Sequence, residues 1–190
     1  MYRQTAEVWA LDENGELEVE YGSWLNSKRI RTHGGSGPHP FGRSVSFAEG
    51  GGLLYIGTGE SLEIRGYRGP VLRLILRGPP PNLVAGEDLL ETYRGANLSE
   101  RQQWYREDVL AAQGAMPPQL PTYTDMLVDP SGHLWVKHFT APRESDGSER
   151  WGIFGPEGVF LGDLDLPPKF RLTYVGDETV TGVVKDDLDV

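Results

Sequence analysis

The sequence predicts an all-β fold: part of a β-propeller, with two complete four-stranded blades, half a blade at each end and a short helical insertion. Two observations carry that expectation. A hairpin pattern recurs along the chain, and its copies are spaced so that four strands fit at a time. The 25 glycines and 14 prolines among 190 residues also suit many short strands joined by tight turns.

The recurring pattern is a few apolar residues, a turn rich in Asp, Pro and Gly, then apolar alternation. It reads VWALDENGELEVEY from Val8, MLVDPSGHLWVKHF from Met126 and WGIFGPEGVFLGDLDL from Trp151, with a degenerate copy LEIRGYRGPVLRLIL from Leu62. Asn14 and Gly15 tolerate positive φ, and Pro130 fixes φ at a turn's first corner, so each copy is a hairpin signal. Residues between Gly132 and Gly158 leave room for two successive hairpins. The strands expected there are Thr124–Val128, Leu134–His138, Trp151–Phe154 and Phe160–Leu164. An earlier set is Ser44–Ala48, Leu53–Thr58, Leu62–Tyr67 and Val71–Arg77. Tandem four-stranded antiparallel sheets are the form of propeller blades.

Blades pack face to face, so mid-strand positions should be apolar on both faces. Phe47, Leu53, Tyr55, Ile64, Leu72 and Leu74 fit one core. Leu127, Leu134, Trp135, Val136, Ile153, Phe154, Phe160 and Leu164 fit the next. The ends read as half blades: Val8–Leu11 with Leu17–Tyr21, and Phe170–Val175 with Thr179–Lys185. Residues 1–190 form one domain on this reading. Residues 82–120 are a helical insertion between blades, with helices expected at Glu87–Tyr93 and Glu100–Gln113. Ser99 and Gln102 would cap the second, and Gly114 would end it. The stripe Trp104, Tyr105, Val109 and Ala112 would pack on the sheets or serve as a lid.

The segments VDPSGHLWV, WGIFGPEGVFLGDLDLP and YVGDETVTGVVKDDLDV resemble the C-terminal region of bacterial six-bladed β-propeller proteins of the NHL/TolB-like kind. PFGRSVSF and LEIRGYRGPVLRLILRG resemble the blade before it. The resemblance implies that this is a truncated C-terminal portion. A natural half-propeller, completed by a second copy through open edge strands, is the other expectation.

Net charge is −10 and the pI about 4.8. The densest basic stretch, Lys28-Arg29-Ile30-Arg31, is read as a solvated turn, so a nucleic-acid partner is not expected. With no cysteine, disulfides, thiolate catalysis and Cys-based zinc sites are excluded. No apolar run approaches the roughly 20 residues of a membrane helix. A periplasmic or secreted location is expected only if an N-terminal signal precedes the chain.

Chemistry-bearing motifs are sparse. Gly34-Gly35-Ser36-Gly37 is read as an inter-blade loop and Gly50-Gly51-Gly52 as a hairpin turn, since neither has the strand-before, helix-after setting of a phosphate loop. Of four histidines, His133 is placed exposed in a turn and His138 half-buried at a strand end. His33 and His39 share a loop that is read as solvated and could otherwise ligate a metal. Asp186, Asp187 and Asp189 are read as a solvated end. Topology puts His39, Arg43, Tyr123 and Arg171 at the mouth of a central channel, a cationic and aromatic set suited to an anionic or sugar-like ligand. The favoured reading of Arg43 and Arg171 is that they form salt bridges between blades. The leading function is a non-catalytic binding or scaffold module, with a small molecule or protein at the propeller face. The alternative is a Ca²⁺-dependent propeller hydrolase or lactonase, with Asp125 its one channel acid in a complete blade.

Overall fold

Turn chemistry sets the first hairpin. In the computed structural model the Asp12 carboxylate accepts hydrogen bonds from the backbone N–H of Asn14 (2.9 Å) and Glu16 (2.8 Å), closing the turn between β1 (Tyr2–Leu11) and β2 (Leu17–Thr32). The structure describes residues 2–32, 35–39, 41–78, 89, 120–140 and 148–184. β3 (Gly35–Pro38) pairs with the end of β2, giving a three-stranded sheet in the order β1-β2-β3. Two expectations are corrected here. Gly35–Pro38 is strand rather than loop, and Lys28–Arg31 lies within β2 rather than in a turn. In both, pairing with a neighbouring strand overrides weak local preference.

Two four-stranded meanders follow. The first is β4 (Ser46–Gly50), β5 (Leu53–Gly57), β6 (Glu63–Arg68) and β7 (Val71–Arg77). The second is β8 (Tyr123–Val128), β9 (Leu134–His138), β10 (Arg150–Phe154) and β11 (Phe160–Asp165). A last hairpin pairs β12 (Phe170–Val175) with β13 (Val180–Val184). Apart from the helical Leu89, the regular structure of the described residues is all β, built from antiparallel sheets with sequential neighbours. The expected helices at 87–93 and 100–113 lie outside the described residues, save Leu89, which is helical and buried. No described helix is long and apolar enough to cross a membrane.

The second meander is the centre of the packing. Tyr55, Ile64 and Leu76 from the first meander meet Tyr123, Met126, Leu134, Val136 and Phe154 from the second. On its other face, Trp135 and Trp151 meet Leu166, Leu172 and Val175. Strand alternation explains the division: Leu134 and Val136 point one way and Trp135 the other. A strand buried on both faces reads as a continuous apolar run, and Leu134-Trp135-Val136 is such a run. Each buried aliphatic side chain of this kind contributes about 1.5–3 kcal/mol.

Four expected core residues are corrected. Phe47 is 59% exposed, Phe160 53%, Leu72 43% and Leu164 37%. Leu72, Phe160 and Leu164 sit on β7 and β11, the last strands of their meanders, where little covers the outer face. Phe47 occupies an exposed position of β4's alternating pattern.

Candidate functional site

His39, Arg43 and Tyr123 are all buried. The His39 ring pins a local turn, with Nδ1 accepting a hydrogen bond from the Phe41 N–H at 3.1 Å. Arg43 donates from Nη1 to Glu60 Oε1 at 3.1 Å. Tyr123 opens β8, and its phenol lies over Gly57, where any Cβ would overlap the hydroxyl. Desolvation pushes its pKa up to about 12, against smaller opposing contributions from Gly59 and Ser46. The hydroxyl has no hydrogen bond of good geometry. Tyr123 is therefore a neutral core residue at physiological pH.

Arg171 lies elsewhere, in a cleft of about 280 Å³ between the second meander and the β12–β13 hairpin. Sheet register builds one wall. Lys137 is the cross-strand partner of both Asp125 and Trp151, so the three form a row from β8 through β9 to β10. β12 builds the other: Leu172 turns into the core, while Arg171 and Thr173 are exposed. Of the residues expected at a central channel, the structure brings Arg171 together with Asp125 but not with His39, Arg43 or Tyr123, none of which lines this cleft.

Glu149 organises the cleft. Its carboxylate accepts hydrogen bonds from Lys137 Nζ, from Trp151 Nε1 at 3.1 Å and from the Leu172 N–H at 3.4 Å. Its backbone carbonyl accepts from the Leu166 N–H at 2.8 Å. One residue therefore ties β9, β10 and β12 together. Asp125 Oδ1 accepts from the Met126 N–H at 2.9 Å, and Thr173 Oγ1 donates to the Thr181 carbonyl at 3.0 Å. Among the described residues, Arg171 is the one charged group of the cleft with neither a hydrogen bond nor an ion pair. Sequence reasoning missed Glu149, because it precedes a strand and carries no motif.

A second polar feature also escaped the sequence. His138 Nε2 lies 3.0 Å from Asp163 Oδ1, across β10. The pair stands between a largely apolar cleft of about 350 Å³, lined in part by Leu62, Phe154 and Phe160, and a polar one of about 450 Å³ that holds Ser148, Arg150 and Asp165. Gly152 makes the crossing possible: a Cβ there would lie 2.9 Å from His138 Nε2 and 3.4 Å from Asp163 Oδ1. The signal in the sequence is a glycine in mid-strand.

His133, expected exposed in a turn, lies in the turn but is half-buried: its backbone N–H and Nδ1 lie 2.9 Å from the Asp129 carboxylate, which also accepts from Trp135 Nε1 at 3.1 Å. Among the described residues no three side chains of the metal-ligating kinds gather into a cation site. His33, Asp186, Asp187 and Asp189 lie outside the described residues. No protein-family model, curated protein or solved structure matches the chain.

Proposed function

We propose that the chain is a non-catalytic β-propeller module that binds a small anionic ligand through Arg171. Several packing features support the propeller part of the reading. The two meanders are consecutive and share an apolar interface, and their first strands, β4 and β8, lie side by side, as the inner strands of neighbouring blades do. The β12–β13 hairpin then repeats the first half of a blade against the second meander. The six-bladed NHL- or TolB-like kind is the form of propeller that the sequence resembles.

The observation that carries the binding part is the asymmetry of commitment in the Arg171 cleft. Glu149, Lys137 and Asp125 are engaged within the fold, whereas Arg171 presents its donors to the cleft unengaged. A guanidinium in that position suits a carboxylate or phosphate, which it can grip with two parallel hydrogen bonds.

The test is a titration of the chain with small carboxylates and phosphates, read by calorimetry. Charge-assisted hydrogen bonds contribute about 1.5–3 kcal/mol, so Arg171→Ala should weaken binding by roughly one to two orders of magnitude. Arg171 is exposed, so the variant's unfolding midpoint should match the parent's. An anion that binds both proteins equally would refute the assignment.

A further inference from the structure

A different cleft, of about 490 Å³, lies between β2 and the first meander. Three rings wall it. Tyr67 of β6 meets Tyr21 at a centroid distance of 5.2 Å and 67°, and Trp24 at 6.5 Å and 86°. Tyr67 therefore stands edge-on to both other rings, as one side of a box meets the next. The Trp24 indole is held in place by donating from Nε1 to the Tyr21 carbonyl at 3.0 Å. Glu60 and Glu63 line the same cleft. Tyr21 feels further negative charge: desolvation, then Glu18 and Glu49, raise its pKa.

Ring faces carry partial negative charge and attract cations. One cation already uses this box. The Arg65 guanidinium lies 5.4 Å from the Trp24 ring centroid, held by Glu63 through Nε at 3.2 Å and Nη2 at 3.1 Å. The same Glu63 accepts from Arg77 Nε at 3.0 Å, and Glu60 holds Arg43. Both carboxylates thus already receive hydrogen bonds from arginines. An incoming primary ammonium or guanidinium would have to share those carboxylates with the arginines. A cation without N–H groups needs none, and its methyl groups can rest directly on the rings.

We propose that this cleft binds a quaternary ammonium group, with Arg65 as an internal occupant that the ligand displaces from Trp24. The group could belong to a free small molecule or to a trimethylated lysine side chain, and the two present the same chemistry to the rings. The site is independent of the Arg171 cleft and stands or falls separately.

Calorimetric titration of the intact chain tests it, using choline, trimethyl-lysine amide and 3,3-dimethylbutanol, the neutral carbon isostere of choline. At least one of the two cations should bind tenfold or more tightly than the isostere, and whichever binds more tightly identifies the source. Trp24→Leu should weaken that binding at least tenfold. Arg65→Ala should strengthen it several-fold, because the ring is vacated. Arg65 is exposed, so this variant should fold whether or not Trp24→Leu does. Binding of the isostere as tight as either cation's, or an Arg65→Ala affinity at or below the parent's, would overturn the proposal.

Discussion

Substituting Gly152 by alanine should have opposite consequences in two backgrounds. The backbone at Gly152 is ordinary β, so alanine fits it and reduces unfolded-state entropy, a gain of about 0.4–1 kcal/mol. In the parent chain the new methyl lies 2.9 Å from His138 Nε2, closer than side chains tolerate. That nitrogen is the tip of a side chain, so the ring swings aside and loses its 3.0 Å contact with Asp163. The two side chains are 31% and 32% exposed, which limits the value of the contact to about 0.2–1 kcal/mol. An off-rotamer imidazole adds about 0.5–1.5 kcal/mol. Alanine should therefore be neutral to destabilising in the parent and stabilising once His138→Ala has removed the ring. The coupling between the two positions comes to about 1–2 kcal/mol. Urea unfolding of the parent, both single variants and the double variant measures it. Additivity within about 0.5 kcal/mol would refute the idea that Gly152 exists to let His138 reach Asp163.

Two further outcomes follow from the buried polar groups. Burial works against the ionised Asp129 carboxylate, but hydrogen bonds from Trp135 and His133 outweigh it, and the native pKa lies below the usual carboxylate value. A depressed acid stabilises the fold above its unfolded pKa, near 3.9, and loses that contribution as pH falls through the lower native value. Thermal midpoints between pH 6 and pH 2 should therefore fall less steeply in Asp129→Asn than in the parent, from a lower starting point at pH 6; parallel curves would contradict this. Tyr123→Phe removes a buried hydroxyl that lacks a well-formed hydrogen bond, so stability should change by less than about 1 kcal/mol in either direction. A larger loss in urea unfolding would mean that the hydroxyl is held more firmly than its geometry shows.

Strand order was legible in the sequence where local chemistry decides it. Asp12 and Asp129 each close a turn by accepting backbone N–H groups, and both turns announce themselves as Asp with Gly three residues later. Leu134-Trp135-Val136 announced a strand buried on both faces. Burial at the sheet margins was not legible, because Phe47 and Phe160 look like core residues until the neighbouring sheet proves not to reach them. The candidate sites were legible only in pieces. Topology marked Arg171 and Asp125, but Glu149 acquires its role from partners on three different strands. Tyr67 meets Tyr21 and Trp24 only when separate sheets come together. His39 and Arg43 offered chemistry in the sequence and are buried in the fold.

The double-sided burial of β9 changes how that strand finds its place. In a sheet wetted on one face, a slip of one residue is penalised by pushing apolar groups into water. Leu134, Trp135 and Val136 would stay dry after such a slip, so the apolar run itself offers little correction, although the Trp135–Asp129 hydrogen bond and the Lys137–Glu149 pair would be lost. Volume opposes the error as well. The slip would drive the Trp135 indole into space shaped for Leu134 or Val136, and leave a void where it had packed against Trp151 and Leu172. Overpacking on one side and a cavity on the other each cost a few kcal/mol. The alternation of large and small side chains thus helps to guard the alignment of this central strand, and Trp135→Leu would loosen that alignment both by its lost volume and by its lost hydrogen bond to Asp129, while leaving the strand apolar.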